Sequence, residues 1–141
     1  MATRIAIVDG IRTPFLKAGC VAREVPAYEL GRQAVAGLMS RLALPADGVD
    51  EVVLGCVANP PEAANVARVV ALRAGIDRAV PARTVARNCA SGMEALTSAA
   101  EKILAGDLVP GDVARMTAEA DGTVLIGKGP NKEAKVRQHR A

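Results

Sequence analysis

Aromatic residues are almost absent from this chain of 141 residues, since Phe15 and Tyr28 are the only two and there is no tryptophan. Half of the residues are nevertheless hydrophobic. The core must therefore be built from Val, Ile, Leu and Ala, a composition that suits helices packed on a largely buried sheet. The length is that of a single domain with room for a real core.

A strong charge excess is also missing, because 18 Lys and Arg face 15 Asp and Glu, which gives a net charge of +3. So small an excess, without aromatic side chains for base stacking, argues against a nucleic-acid partner. The sequence has no apolar run long enough to span a bilayer, and no charged-then-apolar signal segment at its start. We therefore expect a cytoplasmic protein with no membrane partner.

Cysteine is scarce, with Cys20, Cys56 and Cys89 at wide spacings. An odd number of widely spaced cysteines suits neither a disulfide framework nor a metal site. It is typical of a reduced, intracellular protein. We therefore predict no bound metal.

Strand-like and helix-like spacings alternate along the first half of the chain. A short apolar run predicts a buried strand over Ile5–Val8, which ends in a turn. Leucine and alanine at helical spacing predict an amphipathic helix over Ala27–Ala43, which Pro45 stops. A second strand is predicted over Val49–Leu54.

The alternation continues to about Gly106. Asn59 before two prolines predicts a helix start, and this helix should run to about Ala74. A third strand is predicted over Ala82–Arg87, and a further helix follows Cys89. The apolar stripe of that last helix would consist of Met93, Leu96, Ala100 and Ile103. Together these elements predict an α/β fold with helices layered against a sheet.

The most informative stretch is Asn-Cys-Ala-Ser-Gly-Met-Glu-Ala at 88–95. It puts Cys89 where a strand-like run meets an Ala-rich helix. Unpaired N–H groups and the positive end of the helix dipole favour a thiolate there, and the small neighbours would let a substrate approach. Cysteine is also among the most buried residue types, so a core role for Cys89 stays open on the local pattern alone.

The other candidate groups lack such a setting. Cys20 follows a glycine in a loop, and Cys56 follows a glycine at a strand end, so both are interpreted as small buried or loop residues. The only histidine, His139, lies in a basic tail beside Arg140.

Four segments in order carry a resemblance to one family. They are RIAIVDGIRTPF at 4–15, VDEVVLG at 49–55, VPARTV at 80–85 and NCASGMEA at 88–95. From Arg4 to about Asp107 the chain resembles the N-terminal half of the thiolase family, acyltransferases that make or cleave 3-ketoacyl-CoA. A domain over 1–107 is predicted on that basis.

The resemblance implies a function for Cys89. It would hold the acyl group as a thioester while acyl groups pass between CoA thioesters, in 3-ketoacyl-CoA thiolysis or in acetoacetyl-CoA-type condensation. No bound cofactor is implied, since acyl-CoA and CoA are the substrates; which residues of this chain bind them is unknown. Family members pair through the strand before the nucleophile, so a homo-oligomer through 82–87 is expected.

The resemblance is incomplete. The family's base histidine and second catalytic cysteine come from its C-terminal half, within motifs that have no counterpart here, and His139 matches none of them. The sequence therefore indicates a truncated thiolase. The alternative is a non-catalytic remnant or interaction module that keeps half of the fold.

The chain after Asp107 differs from the family pattern. Residues 108–127 form a divergent segment in which Thr123–Ile126 could be a displaced strand. Residues 128–141 are basic, with little apolar content, and are predicted to be a solvated or disordered tail.

Overall fold

The computed structural model describes residues 5–106 and, for strand 123–126, the backbone alone. Three helices and three strands are formed, and they confirm the predicted α/β class. The helices are α1 (Ala27–Arg41), α2 (Val66–Arg73) and α3 (Ser91–Ala105); the strands are β1 (Glu51–Gly55), β2 (Ala82–Val85) and β3 (Thr123–Ile126). Within these residues no helix is both long and apolar enough to cross a membrane.

The central strand of the described sheet is β1. β2 pairs with it in parallel, from Val52 opposite Ala82 to Gly55 opposite Val85. β3 pairs with its other edge in antiparallel, from Glu51 opposite Ile126 to Leu54 opposite Thr123. Because β1 has a neighbour on each side and helices over both faces, all five of its residues are buried. A strand is thus formed at 123–126, where one was predicted.

Alternate residues of β1 enter two separate clusters, as the period of a strand requires. Val52 and Leu54 point into the larger cluster, which α1 and α2 cover. Val53 points to the opposite face, where it meets Ala95 and Ala99 of α3. Both alanines are fully buried, so their small side chains let the backbone of α3 approach the sheet closely.

The interface between α1 and α2 is fixed by charges as well as by apolar packing. Glu29 Oε1 accepts a hydrogen bond of 2.7 Å from Arg32 Nε on the same helix. Its Oε2 lies 3.5 Å from a guanidinium nitrogen of Arg73 on α2. The bond from Arg32 lowers the pKa of Glu29. Arg73 also lies over the ring of Tyr28, 5.2 Å from its centroid, an attractive arrangement for a cation and an aromatic face.

The prediction of a strand over Ile5–Val8 was wrong. This segment has neither strand nor helix structure, and Ile7 is 65% exposed. A strand needs a hydrogen-bonding neighbour, and the described sheet, in the order β2-β1-β3, does not include this segment. Only Ile5 packs against the core, beside the cluster under α3.

The predicted helix start at Asn59 was also wrong, because α2 begins at Val66 with Asn65 as its cap. The prolines form a turn instead, in which the amide of Ala63 donates to the carbonyl of Pro60. Asn65 binds Arg68 N through its side-chain oxygen and donates to Ala82 O. The cap is thus fixed by a contact with β2 that local sequence does not reveal.

The remaining elements were predicted with smaller errors. The helix expected over 27–43 ends at Arg41, and the strand expected over 82–87 ends at Val85. On α3 the predicted stripe is confirmed for Leu96 and Ile103, which pack against the cluster under the helix. It was wrong for Met93, which is 64% exposed, while Ala95 and Ala99 are buried. The small residues fit against the sheet, where a methionine would hold the helix away.

Candidate active site around Cys89

Cys89 lies at the edge of the sheet where β1 and β2 both end. Parallel strands bring their carboxyl ends to the same edge, which is where ligands bind in open α/β sheets. β2 ends at Val85, the turn carrying Cys89 follows, and α3 begins at Ser91. The side chain of Cys89 is exposed, so a core role for it is excluded and reagents in solution can reach it.

The helix follows Cys89, as the sequence predicted, and the thiol lies just outside its first turn. The cap of α3 is Ala90, and Cys89 precedes it. The amide of Ala90 donates to Arg87 O and the amide of Ser91 to Asn88 O. These two N–H groups are therefore engaged within the turn and are poor candidates to stabilise an oxyanion.

A hydroxyl holds the turn closed around Cys89. Ser91 is 3% exposed, and its Oγ accepts a hydrogen bond of 2.8 Å from the amide of Arg87. The same hydroxyl donates to the carbonyl of Asn88 over 2.7 Å. Asn88 has φ of 47°, a left-handed conformation that asparagine tolerates better than most residues. Cys89 thus projects from a short turn that is tied at both ends.

The start of α3 rests directly on the end of β1. A Cβ on Gly55 would lie 2.3 Å from the carbonyl oxygen of Ser91 and 2.7 Å from the amide nitrogen of Gly92. Real Cβ atoms essentially never come this close to backbone atoms. Gly55 is therefore required for the close approach of the helix that follows the thiol.

A buried carboxylate joins β1 to its neighbours on the α3 side of the sheet. The side chain of Glu51 is 4% exposed and lies 3.0 Å from Arg83 of β2 and 2.7 Å from Lys102 of α3. Two cations satisfy one buried charge, as burial of a carboxylate requires. Closer to the thiol, Arg87 and Glu94 form an ion pair of 2.8 Å.

The other two cysteines have hydrogen-bond partners of their own. Cys20 is exposed in a turn, where its thiol donates to Lys17 O. Cys56 follows β1 at the same edge of the sheet as Cys89, half-buried, and its thiol donates to Ala58 O over 3.3 Å. His139 lies outside the described residues.

Sequence reasoning missed Ser91, Gly55 and Glu51. Ser91 is part of the stretch that singled out Cys89, yet its value depends on a turn geometry that only coordinates reveal. A glycine at the predicted end of a strand is a signal for close approach, and it could have indicated Gly55. A glutamate inside an apolar run was the available signal for Glu51.

A cleft of about 580 Å³ is lined by residues of other segments, namely Gly10, Ile11, Arg12, Pro14 and Arg41. Arg41 is already committed there, because it pairs with Asp9 at 2.7 Å and donates to the carbonyl of Gly10. The cleft does not include Cys89 among its lining residues. Cys89 therefore offers its thiol on an open surface of the described structure.

Residues 5–119 match the family model described as the N-terminal domain of thiolase. The chain belongs to the thiolase family. The match continues beyond Asp107, where the resemblance had been expected to stop.

Several thiolases are similar to this chain. The 3-ketoacyl-CoA thiolase of Salmonella paratyphi B is 36% identical over 129 residues, which are 92% of this chain and 29% of that protein. The 3-ketoacyl-CoA thiolase of Escherichia coli is 35% identical over 130 residues, again 92% of this chain and 29% of the relative. The chain thus spans less than a third of the length of these thiolases.

A solved structure gives the same result. The acetyl-CoA acetyltransferase of Bacillus anthracis matches with a TM-score of 0.60 and 34% sequence identity, over 69% of this chain and 24% of that chain. The α/β fold of this chain is therefore thiolase-like, and it is partial relative to a full thiolase.

Proposed function

We propose that this chain carries the acyl-accepting centre of a thiolase-type acyltransferase, with Cys89 as the nucleophile. The observation that carries the proposal is an exposed thiol on a tied turn at the carboxyl edge of two parallel strands, in a chain of the thiolase family. The names of the relatives, 3-ketoacyl-CoA thiolase and acetyl-CoA acetyltransferase, support CoA thioesters as the substrates.

The proposed reaction begins with attack of the Cys89 thiolate on the carbonyl carbon of an acyl-CoA. A C–S bond to Cys89 forms, and a tetrahedral oxyanion collapses as the C–S bond to CoA breaks. CoA leaves as a thiolate and takes up a proton, so the products are free CoA and an acyl group held on Cys89 as a thioester. Covalent catalysis of this kind divides one difficult transfer into two easier steps.

The second step needs a base. The described residues include no histidine that could act as one, since His139 is the only histidine of the chain. Transfer to CoA requires deprotonation of its thiol, and condensation requires removal of a proton from the methyl group of acetyl-CoA. Residues beyond 106, a second subunit or another polypeptide would have to provide that base. We therefore expect acylation of Cys89 to be separable from complete thiolysis or condensation.

A second copy of the chain would pair along β2. This strand is an edge of the described sheet, and its backbone groups on that side can extend the ladder. Association through 82–87 would bring two Cys89 turns near one interface. Light scattering as a function of protein concentration tests it, and a mass that stays monomeric rules it out.

Exposed apolar side chains favour a second candidate, a non-catalytic interaction module. Phe15 is 92% exposed, Val21 85% and Ile7 65%, and apolar side chains that form one exposed patch mark interaction surfaces. On this alternative the chain would bind a partner through its first segment, and Cys89 would have no turnover to perform.

An acylation experiment on the whole chain separates the two functions. Incubation with acetyl-CoA, followed by intact-mass spectrometry, should give an increase of one acetyl group with stoichiometric release of CoA. Peptide mapping should locate the group on Cys89, and Cys89→Ser should abolish it. Cys20→Ser is the matched control, because Cys20 is also exposed and lies outside the proposed centre. An unmodified mass, or acyl groups spread equally over Cys20 and Cys89, would reject the acyltransferase.

A further inference from the structure

Ser91 lies two residues after Cys89. Its side chain is buried and both donates and accepts a hydrogen bond. We propose that the Ser91 hydroxyl is a positioning group for acyl transfer, which fixes the direction in which Cys89 presents its sulfur. The inference rests on the proposed function of Cys89 and adds to it a second residue. Ser91 itself touches no reacting atom in this account.

The hydrogen bonds of Ser91 carry the inference. Its Oγ accepts from the amide of Arg87, two residues before the thiol, and donates to the carbonyl of Asn88, one residue before it. The donor and an acceptor position of one hydroxyl are thus both used on the segment that enters the turn. The single O–H donor is therefore committed to the backbone of the turn, so the hydroxyl has no proton to give to a substrate.

The conformation of Asn88 explains why the turn needs such a tie. A non-glycine residue in the left-handed region is less stable there than in an ordinary conformation, and it persists only where its surroundings hold it. The carbonyl of Asn88 receives both the hydroxyl and the amide of Ser91. If the hydroxyl is removed, Asn88 loses one of these bonds and the backbone that carries Cys89 gains freedom.

Because Ser91 is buried, water cannot easily replace the hydrogen bonds that its hydroxyl makes. Ser91 is 3% exposed, and its backbone lies against Gly55, where no side chain could fit. Water therefore has little access to replace the lost partner when the hydroxyl is deleted. The end of the turn at Ser91 stays fixed by the contact with β1, and the end at Arg87 and Asn88 is released.

Acyl transfer depends on the direction of attack, and alkylation by a small reagent does not. The sulfur must approach the thioester carbonyl along a narrow range of directions, so a loosened turn slows attack even when the thiol remains accessible. Iodoacetamide reaches an exposed sulfur from many directions. The ratio of the two rates thus measures positioning and is insensitive to access alone.

The test compares Ser91→Ala, Ser91→Thr and Ser98→Ala in the full chain. Ser98→Ala is the matched control, since it removes a hydroxyl from the same helix; the carbonyl of Ser98 that receives Arg83 is backbone and stays. Single-turnover acylation by acetyl-CoA is followed by CoA release. Alkylation of Cys89 by iodoacetamide is followed by peptide mass spectrometry, and hydrogen exchange at the Arg87 amide by NMR.

We expect Ser91→Ala to lower the maximal acylation rate about 10- to 100-fold, with the half-saturating acetyl-CoA concentration and the iodoacetamide rate little changed. Exchange at the Arg87 amide should accelerate. Ser91→Thr, which keeps the hydroxyl, should recover most of the acylation rate, and Ser98→Ala should behave like the unsubstituted chain.

Equal acylation of Ser91→Ala and the unsubstituted chain would overturn the inference. So would a parallel fall in acylation and alkylation, because it would indicate lost access, and so would unchanged exchange at Arg87. If the unsubstituted chain is not acylated at all, the proposed function fails. Exchange at the Arg87 amide then still decides whether Ser91 holds the turn.

Discussion

Replacement of Gly55 by alanine tests the packing that carries the Cys89 turn. The new Cβ would lie 2.3 Å from the carbonyl oxygen of Ser91, 2.4 Å from its carbonyl carbon and 2.7 Å from the nitrogen of Gly92. All three atoms belong to the backbone, which cannot rotate away as a long side chain could. The first turn of α3 must therefore move, or β1 must bend.

The distances set the size of the effect. To reach an ordinary contact of 3.4 Å from 2.3 Å, the Ser91 oxygen has to move by about 1 Å. Such a shift would disturb the fully buried contacts of Ala95 and Ala99 with Val53. Overpacking of a core costs about 1–3 kcal/mol and occasionally more. Because backbone is the obstacle, we expect a loss of about 3 kcal/mol, a large share of the roughly 5–15 kcal/mol that holds a domain together.

Urea denaturation followed by circular dichroism measures this loss, and Gly10→Ala is the matched control. A Cβ at Gly10 would meet nothing within 4 Å, and its φ is not positive. We expect the control to stay within about 0.5 kcal/mol of the unsubstituted chain, as exposed substitutions do. A Gly55→Ala chain as stable as the control would refute the account of how α3 meets β1.

Two further predictions concern charged groups. Arg83→Met removes one of the two cations at buried Glu51, so we expect a loss of about 1–2 kcal/mol in urea denaturation. Arg23→Met breaks the ion pair between Arg23 and Glu24, whose side chains are 76% and 90% exposed. This substitution should cost less than about 0.5 kcal/mol, and equal effects of the two substitutions would contradict the expectation. The lowered pKa of Glu29 means that its ion pair stabilises the fold above the ordinary value of 4.5 and loses that effect as the pH falls through the lower folded value. The stability difference between the unsubstituted chain and Glu29→Gln should therefore shrink on acidification below 4.5, and a difference independent of pH would disprove the role of the pair.

The sequence predicted most of the elements because their periods are strong. The leucine and alanine spacing located α1 to within two residues of its end, and the apolar run of β1 was found with its glycine. Tertiary contacts decided the rest. Ile5–Val8 has the composition of a strand, yet the described sheet is formed by β2, β1 and β3 without it.

The site was predictable as a position but not as a geometry. Cys89 was predicted as the nucleophile from its neighbours and from the family likeness, and that role stays a prediction. That its turn closes through the Ser91 hydroxyl depends on a local turn geometry that residue spacing does not reveal. That Gly55 makes room for the helix behind the thiol depends on a contact between residues far apart in sequence. The same holds for Asn65, whose capping role is fixed by β2.

The central claim is that Cys89 accepts an acyl group from a CoA thioester. Intact-mass spectrometry of the whole chain after incubation with acetyl-CoA, beside Cys89→Ser and Cys20→Ser, tests it most directly. The account predicts one acyl group and one released CoA per chain, lost in Cys89→Ser and retained in Cys20→Ser. A chain that stays unmodified, or one acylated equally with and without Cys89, would contradict it.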